Sequence, residues 1–157
     1  MNTPLSDFWH APAVIAPNNF VHKSLSNWSF NIAIGCAHAC RFCYVPSAST
    51  IKQAPRLATY GVGDPDEDWG DYVFLRPWDE SKFLASLNAA NKTPVTSLKP
   101  DGNRAVIYCS TTDAYQVLRH QDPAKQKALN QAAESMVRSS LELIRDRSID
   151  DTMIERD

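Results

Sequence analysis

No apolar run in this chain approaches the ~20 residues needed to cross a bilayer. Its first residues lack the basic-then-apolar order of a secretory leader. An excess of one charge is also missing: 16 Lys and Arg stand against 18 Asp and Glu, a net charge of −2. There is therefore no global basic field of the kind that marks nucleic-acid binders, although a local patch is compatible with that balance. No internal repeat or low-complexity segment is present. Cysteine is sparse, with four in 157 residues, and free thiols without a leader predict a reducing cytoplasm and no membrane. What is present is ordinary for a globular protein: 43% hydrophobic and 22% charged residues, in a chain long enough for one domain.

The cysteines are unevenly placed. Three of the four fall within eight residues of the stretch Gly35-Cys36-Ala37-His38-Ala39-Cys40-Arg41-Phe42-Cys43-Tyr44. Gaps this short let three thiolates face one small inorganic object, since a residue spans at most ~3.3–3.6 Å of extended chain. An odd thiol argues against a disulfide set. A structural zinc site takes four ligands, as does an electron-transfer iron–sulfur cube. Three close cysteines point instead to a cluster with one iron left open. Two alternatives stand beside that reading. One is a non-catalytic zinc module completed by His38 or Cys109. The other is an electron-transfer cluster with Cys109 as its fourth ligand.

The spacing resembles the signature of the radical S-adenosylmethionine (SAM) superfamily, C-x3-C-x-aromatic-C, with Cys36, Cys40, Phe42 and Cys43 in the matching places. The longer run Asn31-Ile32-Ala33-Ile34-Gly35-Cys36 through Cys43-Tyr44-Val45-Pro46 is similar to the branch of spore photoproduct lyase and its DNA repair photolyase relatives. The resemblance implies that Cys36, Cys40 and Cys43 hold a [4Fe-4S] cluster whose open iron binds SAM. It further implies that Phe42 packs near the adenine, and that Tyr44 assists catalysis as the tyrosine following the last cluster cysteine. A flavodoxin- or ferredoxin-like one-electron reductant and a nucleic-acid substrate are the partners it implies.

Along the chain, residues 1–27 carry Pro4, Pro12 and Pro17 without a sustained period. They read as an irregular N-terminal arm over the surface, with Trp9 and Phe20 as anchors. Residues 28–34 alternate in the period of a strand. Gly35 ends that strand, so the cysteine loop leaves its C-terminal end, where barrel-type α/β folds place active sites. Residues 45–70, punctuated by Pro46, Pro55 and Pro65 and carrying the acidic run Asp64-Pro65-Asp66-Glu67-Asp68, read as a long solvated loop. A short strand is expected over 71–76 and a helix from Asp79 to about Ala90 with Phe83, Leu84 and Leu87 on one face. A turn region covers 92–103. Residues 104–110 predict a second core strand, a near-continuous apolar run of the parallel, buried type. Asp122 and Pro123 then open a helix to about Arg145, its buried stripe formed by Leu129, Ala133, Met136, Val137, Ser140, Leu141 and Ile144. Residues 146–157 show no pattern.

A second constellation follows the second strand. Superfamily members often carry a Gly-Gly-Glu-like segment there to hold the SAM amino group, and this chain has Ser110-Thr111-Thr112-Asp113. The run Thr112-Asp113-Ala114-Tyr115-Gln116 resembles that of the photolyase-like branch. A carboxylate and hydroxyls at a strand's end accept from an ammonium group, so Ser110, Thr112 and Asp113 are the expected cofactor-binding residues. Turn formation by the same residues is the plain alternative. Cys109 reads as a small buried hydrophobe, one position away from the cysteine that spore photoproduct lyases use for hydrogen return.

The fold class expected is therefore α/β, the N-terminal part of a parallel (β/α) partial-barrel radical SAM fold, incomplete over 28–157. Two parallel core strands cannot cover their own edges. The pattern thus predicts a truncated chain that needs a C-terminal half or self-associates.

Overall fold

The computed structural model describes residues 5–18, 26–98 and 104–147. The fold is mixed α/β, with two three-stranded sheets. One has the order β1 (Leu5–Phe8), β5 (Tyr72–Leu75), β4 (Ala33–Gly35), and the other β2 (Ala16–Pro17), β3 (Trp28–Phe30), β6 (Val106–Tyr108). β1 runs parallel to β5 with Leu5 opposite Tyr72, and β4 runs antiparallel to β5 with Ile34 opposite Phe74. β3 is parallel to β6, with Ser29 opposite Ile107, and antiparallel to β2. Parallel and antiparallel pairs thus mix in each sheet.

The single strand expected over 28–34 is two strands in two sheets. The backbone explains the division. The Phe30 carbonyl accepts from Cys109 N at 2.6 Å, which ends one ladder, and the Ile32 carbonyl accepts from Arg76 N at 2.8 Å, which begins the other. The alternation of faces breaks at the switch, since the consecutive residues Ile32 and Ala33 both reach the main core. Phe30 and Ile32 lie in the main core, while Ile34 faces a second cluster with Trp9, Leu57, Val62, Tyr72 and Phe74.

β5 is the central strand of its sheet and is buried on both faces. Val73 and Leu75 join the main core, and Tyr72 and Phe74 the second cluster. That second face is covered by the segment 45–70, which is not the loop expected. It forms α1 (Val45–Ala48), a 3-10 turn over Thr50–Gln53 and α2 (Ala54–Thr59). Pro46 and Pro55 stand in the first turns of these helices, where a missing N–H and fixed φ are favourable. As sequence signals they look like breakers. The acidic run does stay a turn. Asp68 accepts from Gly63 N and Asp64 N, and Asp64 from Asp66 N and Glu67 N.

The N-terminal arm is also corrected. β1 pairs along its full length with β5, and Trp9 is buried, stacked on Tyr60 with ring centroids 4.8 Å apart. Trp9 thus anchors as expected, within a sheet layer instead of on its surface. Four residues between prolines are too few to show a period. Asp7 adds an ion pair to Lys125 at 2.8 Å. Phe20 and residues 148–157 lie outside the described residues.

The helices follow their caps. α3 (Glu80–Lys92) opens on Asp79, which accepts from Lys82 N, and buries Phe83, Leu87 and Ala90, with Leu84 at its margin. α4 (Pro123–Asp146) opens on Asp122, which accepts from Ala124 N. It buries Leu129, Ala133, Met136, Val137 and Ser140, the last bonded to Tyr108 Oη at 2.7 Å. Leu141, expected in this stripe, is exposed, and Ile144 is half-buried. The β6 strand is shorter and wetter than expected: only Val106–Tyr108 are in register, all half-buried. Cys109 leaves the sheet with φ 56°, a left-handed conformation that does not continue a ladder. Among the described residues no helix is long and apolar enough to cross a membrane.

Burial of Trp9 makes the N-terminal segment structural. Trp9→Ala should cost about 3–5 kcal/mol in a urea titration. A loss below about 1 kcal/mol, the size of a typical surface change, would return that segment to a peripheral role.

Candidate functional site

Two glycines seat the cysteine loop. Gly35 ends β4 at φ 93°, and a Cβ there would lie 2.2 Å from the Tyr72 carbonyl oxygen. Only glycine allows both that dihedral and that approach. Gly70, at φ 99°, would place a Cβ 2.4 Å from the Ala39 Cβ. The loop therefore leaves the sheet directly over β5 and rests on Gly70. Ala39 itself takes φ 49°.

The 110–116 segment, leaving β6, meets this loop. Thr112 Oγ1 donates to the Gly35 carbonyl at 2.6 Å, and Gln116 Oε1 accepts from Ala37 N at 2.9 Å. Gln116 Nε2 donates to Thr112 Oγ1 and to the Asp113 carbonyl. His38 Nε2 and Asp113 Oδ2 lie 2.6 Å apart, and Asp113 Oδ1 accepts from Tyr115 N at 2.8 Å. Thr111 N is held by Asn31 Oδ1. Gln116 is buried, so its amide is a fixed bridge.

The thiols are free and differ in setting. Cys36 is half-buried. Burial pushes its pKa up, and the neighbouring Asp113 carboxylate and Cys40 add to the rise, while the backbone N–H groups of His38 and Asp113 oppose it. Cys40 is exposed, and Cys43, half-buried, donates its N–H to the Cys40 carbonyl at 3.0 Å. Among the described residues no three Cys, His, Asp or Glu side chains converge as a ready metal site. Phe42 is 90% exposed and Tyr44 partly so.

The residues expected to serve a cofactor divide into two groups. Thr112 and Asp113 face the cysteine loop. Ser110 instead lines a cavity of about 360 Å³ with Asn31, Gly35, Tyr44 and Arg76. His38, the alternative zinc ligand, takes the Asp113 carboxylate. Both Asp113 oxygens hold a partner, though each keeps a further lone pair. Cys109 packs against the main core. Its pKa is pushed up to about 11, chiefly by burial. The bridging roles of Gln116 and Asn31 and the seat at Gly70 are not evident in the sequence, because each depends on a partner about 30 to 80 positions away.

No family model and no solved structure matches the chain. It is 34% identical over 138 residues to a protein of Acidianus two-tailed virus named uncharacterized protein ORF301, with 81% of this chain and 41% of that protein covered. The chain therefore spans less than half the length of that relative.

Two measurements probe this geometry. Gln116→Leu leaves Ala37 N–H and Thr112 Oγ1 without their partner, so it should cost about 1–3 kcal/mol and speed amide exchange at Ala37. Unchanged exchange there would mean the loop is held by something else. Iodoacetamide at mildly alkaline pH should label Cys40 first and Cys109 last. With Cys109 raised to about 11, the stability its buried thiol contributes is present below the ordinary thiol range and is lost as pH rises through about 11. Equal labelling of Cys109 and Cys40 would refute its burial.

Proposed function

We propose that Cys36, Cys40 and Cys43 hold a [4Fe-4S] cluster and that the chain carries the cluster- and SAM-binding portion of a photolyase-like radical SAM protein. The observation that supports this reading most is the meeting of its two sequence segments. The three-cysteine loop and the Thr112–Gln116 run, 70 or more positions apart, are joined by hydrogen bonds at the ends of β4 and β6.

The donor set fits such a cluster by its chemistry. It offers three thiols, one of them with two backbone N–H groups nearby, and hydrogen bonds to sulfur tune a cluster's potential. Binding requires Cys40 and Cys43 to be drawn toward Cys36, and the exposed turn that carries them has little regular structure to resist this. With SAM and one electron from a reductant, such a cluster held by Cys36, Cys40 and Cys43 would supply reductive cleavage of SAM and hydrogen-atom abstraction. The chain's own residues do the positioning. Gly35 and Gly70 fix where the loop leaves and rests, and Gln116 and Thr112 lock its first turn. Asp113 offers a carboxylate to an ammonium group, a charge-assisted contact. The reductant is of the flavodoxin or ferredoxin type.

Anaerobic reconstitution with iron and sulfide should yield about four irons per chain. Alanine at Cys36, Cys40 or Cys43 should abolish the cluster and Cys109→Ala should spare it. SAM should alter the electron paramagnetic resonance spectrum of the reduced cluster. Asp113→Asn should weaken that effect by removing a contact to the SAM ammonium group of about 1.5–3 kcal/mol, whereas His38→Ala should preserve it if the carboxylate acts on SAM directly. Stoichiometric zinc with no cluster would favour the zinc module, and cluster loss in Cys109→Ala the electron-transfer protein. A spectrum indifferent to SAM would end the radical SAM reading of this chain.

A further inference from the structure

The cavity beside the cysteine loop has a charge character that the chain as a whole lacks. The protein carries a net charge of −2, yet among the described residues no Asp or Glu lines this cavity, and Arg76 and Lys52 both do. Arg56 stands on an adjoining hollow that shares Lys52 and Gln53. His10 registers the same field. Its pKa is held below the ordinary histidine value by partial desolvation and then by the charges of Arg56 and Arg76.

Arg76 is the unusual member. It follows β5, and its backbone N–H is committed to the Ile32 carbonyl. Its side chain is half-buried, and that burial lowers its pKa. The ion pairs among the described residues are His38–Asp113, Lys125–Asp7 and Arg138–Glu134, none of which involves Arg76. A half-buried guanidinium with no carboxylate among these ion pairs is open to an anion entering the cavity, which would gain a charge-assisted contact. Its planar fork suits two oxygens of one phosphate or carboxylate.

We propose that this cavity binds the phosphate group of a small phosphorylated molecule, with Arg76 gripping two phosphate oxygens and Lys52 meeting the remaining charge. Two cations match a phosphomonoester, which carries about −1.5 to −2 at neutral pH, better than a single carboxylate. Ser110, Thr111 and Gln53 line the same space and supply neutral hydrogen-bonding groups. The volume of about 360 Å³ lies within the usual range for small-molecule sites and exceeds what a bare phosphate needs. The rest of the ligand then lies toward Gly35 and Tyr44, the wall shared with the cysteine loop. Phosphate binding requires no metal, so it stands or falls separately from the iron–sulfur reading.

The test is calorimetry and thermal denaturation of the full chain, without iron, in phosphate-free buffer at constant ionic strength. The probes are inorganic phosphate, glycerol phosphate and malonate. Both phosphates should bind and raise the melting temperature, with malonate weaker by about tenfold or more. Arg76→Met should reduce phosphate affinity about 10- to 150-fold, the loss expected for one charge-assisted contact, while melting at or above the wild-type temperature without ligand. Lys52→Met should reduce it less, because Lys52 is exposed. If Arg76→Met fails to fold, Arg76→Lys keeps the charge without the fork, and weaker phosphate binding in that folded variant supports the site. Absence of phosphate binding, equal binding of malonate, or undiminished binding in the folded Arg76 variants would each overturn the proposal.

Discussion

The close approach of Gly35 to the Tyr72 carbonyl governs how the rest of the molecule is arranged. No side chain fits between them, since a Cβ at Gly35 would stand 2.2 Å from that oxygen. β5 can therefore be buried on both faces and still have the cysteine loop leave directly above it. Val73 and Leu75 hold the main core together with α3 and α4, while Tyr72 and Phe74 hold the second cluster under α2. Any residue larger than glycine at position 35 would push the loop off the strand, and the bond from Thr112 to the Gly35 carbonyl would be lost with it.

The polar contacts around the loop depend on that seat. Gln116 uses both ends of its amide, taking Ala37 N–H and giving to Thr112 and Asp113. Such a bridge is favourable only when every group in it is matched, because an unmatched buried donor costs more than a matched one gains. The His38–Asp113 contact lies nearer to solvent and contributes less, as exposed charge pairs do. The loop is thus held at Ala37 by Gln116, while Cys40 lies exposed in the turn beyond it. That division is what a loop needs if a bound group is to gather its outer thiols.

Much of this was legible in the sequence, for stated reasons. Caps are local, so Asp79, Asp122 and Pro123 marked their helices correctly. The apolar run of β5 and the glycine closing β4 were equally local signals. What was hidden depended on distant partners. β1 has four residues, too short for a period, and is a strand only because β5 lies beside it. Pro46 and Pro55 carry the same sequence signal whether they break a loop or begin a helix, and the apolar surface of Tyr72 and Phe74 decides between the two. Leu141 fits the helical stripe by spacing, yet it points away from the buried face. At the site, the cysteine spacing and the Thr112–Gln116 run could be read directly. Their hydrogen bonds to each other, and the placement of Ser110 away from Asp113, could not.

The division of residues 28–34 between two sheets explains why a cavity exists where it does. Large residues recur at every second position from Trp28 to Ile34 although the faces they reach exchange after Ile32, so nothing in the sequence period announces the switch at Asn31. In space the consequence is large. The Phe30 carbonyl pairs toward Cys109 and the Ile32 carbonyl toward Arg76, so the two ladders separate at this point. Backbone that separates leaves a gap, and the residues bordering it are those at the divergence: Asn31, Arg76, Ser110 and Thr111. Asn31 keeps one side of the gap in register by holding Thr111 N–H. The opposite side ends at Arg76, whose backbone is fixed by Ile32. A gap that opened on apolar residues would collapse by repacking, as cores do wherever neighbours can move into the space. This one is bordered by a guanidinium and by hydrogen-bonding groups, which favour water or an anion over collapse. The same switch of sheets that the sequence conceals thus creates a polar, cation-bearing space lined in part by Gly35, the residue that seats the cysteine loop.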